Sequence, residues 1–108
     1  MSSDLKLSRE DGRIDWSRSA LAIDRRIRAF EPWPGTFTTL GGNPLKVISA
    51  APVEAIGSPG TVLDFALTVA CGTQAIRLTK VQLPGRAALD AGAFLRGHPV
   101  PPGTILGQ

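Results

Sequence analysis

The chain changes character at Pro32-Trp33-Pro34-Gly35. Two prolines this close cannot continue a helix, because each lacks an amide hydrogen and its ring clashes with the preceding turn. Each also pushes the residue before it into extended geometry. A helix that reaches residue 32 therefore stops there, and the chain beyond it starts extended. Trp33, fixed between the prolines, can aim its ring at little entropic cost. That suits a hydrophobic plug at the joint between helix and sheet; base stacking is the lesser alternative.

Upstream of the joint, residues 17–30 carry the helical period. Ser17 is the candidate N-cap, although no glutamate stands three residues later to complete a capping box. On a wheel of about 100° per residue, Ala20, Ile23, Ile27 and Phe30 share an arc of roughly 80°. Arg18 and Arg25 point the opposite way, with Arg26 and Arg28 beside them, and Leu21 is an apolar misfit on the polar side. Asp24 stands four residues before Arg28 and can pair with it. The expectation is a helix with one apolar stripe for a core and a basic face turned outward. Such a face is usually solvated.

After residue 35 the period falls to two. Thr36–Leu40 and Leu45–Ala50 read as strands joined through Gly41-Gly42-Asn43-Pro44. Pro59-Gly60 suits the centre of a type II turn. Thr61–Asp64, Leu67–Cys71 and Gln74–Gln82 are further strands. In the last, Ile76, Leu78 and Lys80 are expected on one face, and Arg77, Thr79 and Val81 on the other. Pro84-Gly85 turns the chain, Asp90 caps a short helix over Ala91–Arg96, and Gly97 ends it. Residues 1–12 read as a polar linker or arm, and 13–108 as one domain. Short, evenly spaced strands point to a mainly β fold. The expected form is a small oligonucleotide-binding-like Greek-key barrel of about five to six strands, with one N-terminal helix and a short C-terminal one.

Catalytic chemistry is hard to find in this pattern. The single cysteine, Cys71, excludes an intrachain disulfide and reads as a buried reduced thiol. His98, the one histidine, lies in a proline-rich stretch that suits neither a thiol partner nor a metal ligand set. The carboxylates are scattered, and no glycine-rich phosphate loop is present. No apolar run approaches ~18 residues and the N-terminus has no apolar h-region, so neither a membrane span nor a signal peptide is expected, and the location expected is cytoplasmic. The net charge is +3, and nine of the twelve basic residues are arginine, whose planar fork suits phosphate. That allows a nucleic-acid partner without requiring one.

Several stretches taken together resemble the C-terminal domain of the methionyl-tRNA formyltransferases. Residues 6–16, Lys6-Leu7-Ser8-Arg9-Glu10-Asp11-Gly12-Arg13-Ile14-Asp15-Trp16, are similar to the family's linker and first helix start. Ile27-Arg28-Ala29-Phe30 followed by Pro32-Trp33-Pro34-Gly35 is its most specific element. Pro59-Gly60-Thr61-Val62-Leu63, Val81-Gln82-Leu83-Pro84-Gly85-Arg86, Phe94-Leu95-Arg96-Gly97 and Pro102-Gly103-Thr104-Ile105-Leu106 come after it in the family's order. Two departures stand out. Cys71-Gly72-Thr73-Gln74 replaces a Thr/Cys-Gly-Asp-Gly pattern, and the loop around Phe65-Ala66 is short, which suggests a tighter hairpin.

The resemblance implies a barrel that holds initiator tRNA beside an N-terminal formyltransferase domain, which carries the catalysis. The parent enzyme would move a formyl group from 10-formyltetrahydrofolate to the amino group of methionyl-tRNA; this domain by itself would be non-catalytic and need no cofactor. Implied phosphate contacts are Lys6 and Arg9 on the linker, Arg18, Arg25 and Arg28 on or beside the helix, and Arg86, which matches a basic position in the family's turn. Two alternatives stay open. One is an accessory domain of a sugar-amine formyltransferase or a formyltetrahydrofolate hydrolase; the other is a structural barrel that binds protein.

Overall fold

The computed structural model describes residues 12–31 and 35–107; Lys6, Arg9 and Trp33 lie outside them. Helix α1 spans Ala20–Phe30, followed by β1 (Thr36–Leu40), β2 (Asn43–Val53), β3 (Thr68–Ala70), β4 (Ala75–Gln82), β5 (Leu89–Asp90) and α2 (Ala91–Gly97). The fold is mainly β, with a helix before the sheet and another after it.

The helix begins later than residue 17. Ser17 is instead drawn into a turn with Asp15, whose Oδ1 accepts from the Ser17 amide at 3.1 Å and from its hydroxyl at 2.5 Å. Ser19 is the N-cap, and its hydroxyl accepts from the Ala22 amide at 3.1 Å. Ala20, Ile23 and Ile27 are buried, and Leu21 stays exposed at 53%. The Asp24–Arg28 pair forms at 3.3 Å. Past the helix the Gly35 amide, at φ +80°, donates back to the Phe30 carbonyl at 2.8 Å.

The antiparallel sheet runs β1-β2-β4-β3, and β5 pairs with the same strand β4. β1 and β2 meet through a two-residue turn, Gly41-Gly42, with both φ angles positive. Pro44 therefore lies inside β2, opposite Thr39. Thr39 and Pro44 form the second pair of the hairpin, where the amide positions turn away from the partner strand, so proline's missing donor costs the ladder nothing.

The expected facing of β4 fails at its far end. Ile76 and Leu78 are buried, but the next core residue is Val81, and Lys80 is exposed. The cause is a pair of irregularities. Val47 pairs with Val81, Ser49 with Lys80 and Ala50 with Leu78, so Ile48 and then Thr79 fall outside the register. Slipping by one residue moves later side chains to the opposite face.

Irregular segments complete the curl. Thr61 and Val62 bridge onto Ile105 and Val69. The Ala70 amide donates to the Thr61 carbonyl at 2.9 Å, and the Leu106 amide to that of Gly60 at 2.8 Å. The Gly107 amide then donates to Thr39 of β1 at 2.9 Å. Hydrogen bonds thus run round the sheet from β1 back to β1. Three Pro-Gly turns set its corners: Thr61 donates to Ser58, Arg86 to Leu83 and Thr104 to Pro101, with Gly60, Gly85 and Gly103 all at positive φ. The short loop before β3 is a tight turn in which Leu67, buried, takes φ +60°. Burial raises the pKa of Asp64 there, but donors from Ala66 and Thr68, with Arg77 nearby, outweigh it and leave the carboxyl below its ordinary value.

The core takes Leu45 and Val47 from β2, Val69 from β3, Ile76, Leu78 and Val81 from β4, Ile23 and Ile27 from α1, and Phe94 from α2. Cys71 belongs to the same cluster, and burial pushes its thiol from 9.0 to about 11. At pH 8 its thiolate fraction is then about a hundredth of that of an ordinary thiol. Labelling by a thiol reagent should be slower in the native chain by about that factor and recover in urea; equal rates would place the thiol at the surface. The unfolded thiol ionises first, so the stability Cys71 contributes is complete below about pH 9 and falls as the pH climbs from 9 toward 11.

Candidate nucleic-acid interface

Arg13, Arg18, Arg25, Arg26 and Arg28 belong to one region and Arg86 to a second. The first is the segment before α1 together with the outer face of the helix. Arg13 bridges onto Phe37 of β1, and its guanidinium lies over that ring, 5.1 Å from the centroid. The Asp15–Ser17 turn then places Arg18, whose amide donates to the Asp15 carbonyl at 3.1 Å. Arg18 is thus held by a turn rather than by the helix. Its own carbonyl accepts from the Gly72 amide at 2.8 Å, and the Ala20 amide donates to Thr73 at 3.0 Å, so the start of α1 is clamped to the β3–β4 turn.

Within α1, Arg26 reaches Phe30 one turn on and lies 4.6 Å from its ring centroid. Arg25 and Arg28 are exposed on the same helix. Arg28 is partly offset by Asp24, whose second oxygen, Oδ1, is buried without a hydrogen bond among the described residues. Arg13, Arg18 and Arg26 line one cleft of about 220 Å³ together with Ile14, Asp15 and Ile23. Asp15 is held below its ordinary pKa, first by the Ser17 hydroxyl and then by the Ser17 amide, so it stays ionised within its own turn.

The second region is the turn after β4. Arg86 is exposed there, and its carbonyl accepts from the Gln82 side chain at 2.6 Å, which fixes the turn. Gln82 pairs with Lys46, and Lys46 sits 3.8 Å from Glu31. The Arg86 turn therefore lies toward the C-terminal end of α1, whereas the cleft takes Ile23 and Arg26 from the helix together with Thr36 of β1. Of the expected contacts, Arg18 stands in the turn before α1 and Arg25 and Arg28 are exposed on the helix, Arg86 is exposed on the turn after β4, and Lys6 and Arg9 are outside the described residues. Arg13 and Arg26 were not among the expected contacts, yet they share the cleft with Arg18. The Arg26–Phe30 spacing of four is legible in a helix. The Arg13–Phe37 contact spans the joint and has no local signal.

Comparison with known proteins gives the fold its place. Residues 6–99 match the family described as formyl transferase, C-terminal domain. A methionyl-tRNA formyltransferase from Gluconacetobacter diazotrophicus is 60% identical over 105 residues, covering 95% of this chain and 34% of that protein. One from Acidiphilium cryptum is 63% identical over 102 residues, covering 94% and 34%. The chain thus spans about a third of the length of the relatives it matches. HypX from Aquifex aeolicus, solved with tetrahydrofolic acid, superposes with a TM-score of 0.71 at 24% identity, over 83% of this chain and 17% of that one, a likeness of fold alone. A curled antiparallel sheet between two helices, matched almost from end to end by that family model, makes this chain a member of the formyl transferase C-terminal domain family.

Proposed function

We propose that the chain serves as the tRNA-docking domain of a cytoplasmic methionyl-tRNA formyltransferase. Catalysis would then lie in an N-terminal domain, which would also hold the 10-formyltetrahydrofolate. The observation that carries this reading is the outward basic side of α1, where Arg25 and Arg28 are exposed and Arg18 stands just before the first turn. The identity to methionyl-tRNA formyltransferases supports the choice of RNA. Contacts of this kind go to phosphates; they position a duplex without reading its bases. Preference for initiator tRNA would then reside elsewhere in the parent enzyme.

Fluorescence-anisotropy titration with initiator tRNA across a salt series tests the reading. Arg86→Ala and Arg25→Ala should each weaken binding about fivefold, as expected for exposed charges worth ~1 kcal/mol. Each should also make the slope of log K against log salt shallower by about one. Circular dichroism should not change. Unaltered affinity in both variants, with folding intact, would remove these two residues from the interface.

A further inference from the structure

We propose that the apolar surface around Leu63, formed by Ile56, Phe65 and Ile105, is the face on which the N-terminal domain of the parent formyltransferase packs. The inference rests on the reading that such a domain precedes this chain, and deepens it by naming where the two meet. Five large apolar side chains are exposed among the described residues, and three of them belong here: Ile56 at 94%, Phe65 at 74% and Ile105 at 39%. Backbone pairing brings their segments together. Thr61 meets Ile105 across an antiparallel bridge, so those two side chains share a face. Val62, between Thr61 and Leu63, is buried, which turns Leu63 to the same outer side as Thr61. A Cβ built on Gly57 would stand 2.7 Å from Leu63 Cδ2, so the segment that carries Ile56 adjoins Leu63. Phe65 lies in the turn two residues beyond Leu63.

What this surface lacks points to its occupant. Neither 55–63 nor 99–107 contains a charged residue, so the face offers nothing to phosphate and suits the apolar surface of a protein. It is also set in advance. The Val62 amide donates to the Thr104 carbonyl and the Gly103 amide to that of Val62, both at 2.8 Å, so covering the face orders little backbone. Size then separates a tethered partner from a free one. Stable association between separate molecules takes about 20–30 residues a side, far more than the few side chains exposed here. A domain on the same chain is present at an effective concentration on the order of 1 mM, and a small face is enough to hold it. The chain matches a C-terminal domain and spans about a third of the length of its relatives, which leaves such a domain to come before it. The tether also leads to this face. Arg13 bridges onto β1, and Trp16 lies against Gly60 and Gly107, the neighbours in sequence of Thr61 and of the Ile105 segment. At most about 14 Å of chain separates residue 12 from Trp16.

The test joins this chain, in one polypeptide, to the part of the Gluconacetobacter diazotrophicus relative that precedes its matching segment. The joined protein is compared with the 108-residue chain alone. Relaxation of methyl NMR signals by a soluble gadolinium chelate reports how open each side chain is to solvent. A face with a Kd of about 0.1 mM, meeting its partner at about 1 mM, is open about a tenth of the time, so relaxation at Ile56 and Ile105 should fall about tenfold on joining. Leu63 should follow them, and Leu21, exposed on α1, should not change. Ile56→Asp should return Ile105 to within about twofold of its value in the chain alone, because the partner would have to bury an unpaired charge. The same substitution should leave thermal unfolding of the 108-residue chain in place, since Ile56 is almost wholly exposed. Isoleucines as open in the joined protein as in the chain alone, or shielded no more than Leu21, would overturn the assignment. So would shielding that grows with concentration in the chain alone, because the occupant would then be a second copy. Titration of the joined protein with initiator tRNA keeps the two readings apart. Shielded isoleucines without tRNA binding leave this face standing and remove the docking role; tRNA binding with open isoleucines does the reverse.

Discussion

Trp16→Ala should lower the free energy of unfolding by about 3–5 kcal/mol, the range for removing a buried tryptophan. The side chain is 6% exposed, and its Nε1–H donates to the Thr38 hydroxyl at 3.0 Å. It also fills the place where the sheet closes on itself. A Cβ built on Gly107 would come within 3.3 Å of the indole Cδ1, and one on Gly60 within 3.6 Å. One ring therefore touches β1, the Pro59-Gly60 turn and the C-terminal segment, all three of which take part in the ring of hydrogen bonds. A domain of this size has only about 5–15 kcal/mol in total, so the loss is a large share of it. Trp16→Phe keeps most of the apolar area but leaves Thr38 Oγ1 without its donor, and should cost about 1–2 kcal/mol. Urea denaturation with an unchanged m-value checks both variants. A loss under ~1 kcal/mol for the alanine variant would show that the closure does not depend on the indole.

Much of the fold could be read locally. The apolar stripe of α1, its end at the proline pair, the Pro-Gly turns and the short strands all come from residues within a turn or two of each other. The features that could not be read depend on partners far along the chain or on a choice between equals. Ser17 is as good a cap as Ser19 by type, but the Asp15 side chain draws Ser17 into its own turn and leaves Ser19 to cap. Lys80 continues the alternation of Ile76 and Leu78 in sequence, but the paired irregularities at Ile48 and Thr79 turn it outward. The candidate site divides in the same way. Arg18, Arg25 and Arg28 stood out because they cluster near the helix. Arg13 reaches the cleft beside Arg18 because residues 13 and 37 come together across the joint. A cleft assembled from sequence-distant segments leaves no motif.

That joining of fold and cleft makes Gly72→Ala the sharpest perturbation of both. A Cβ at residue 72 would sit 1.9 Å from the Ser17 carbonyl oxygen and 3.2 Å from that of Arg18. Both are backbone atoms, so no rotamer change can relieve the overlap. The contact is held tight by the Gly72 amide donating to Arg18 and the Ala20 amide donating to Thr73. The start of α1 must move or the β3–β4 turn must open, at about 2–3 kcal/mol by analogy with overpacked sites. Gly92→Ala is the matched control, since nothing lies within 4 Å of its new methyl and α2 should gain about 0.5–1 kcal/mol. Because Arg18 lies in the clamped segment, Gly72→Ala should also loosen the cleft. The Nε–Hε signal of Arg18 should move relative to the parent chain, while that of Arg86, in a turn held by Gln82, keeps its position. A Gly72→Ala chain as stable as the parent would mean that the clamp yields freely, and that Arg18 is not positioned by it.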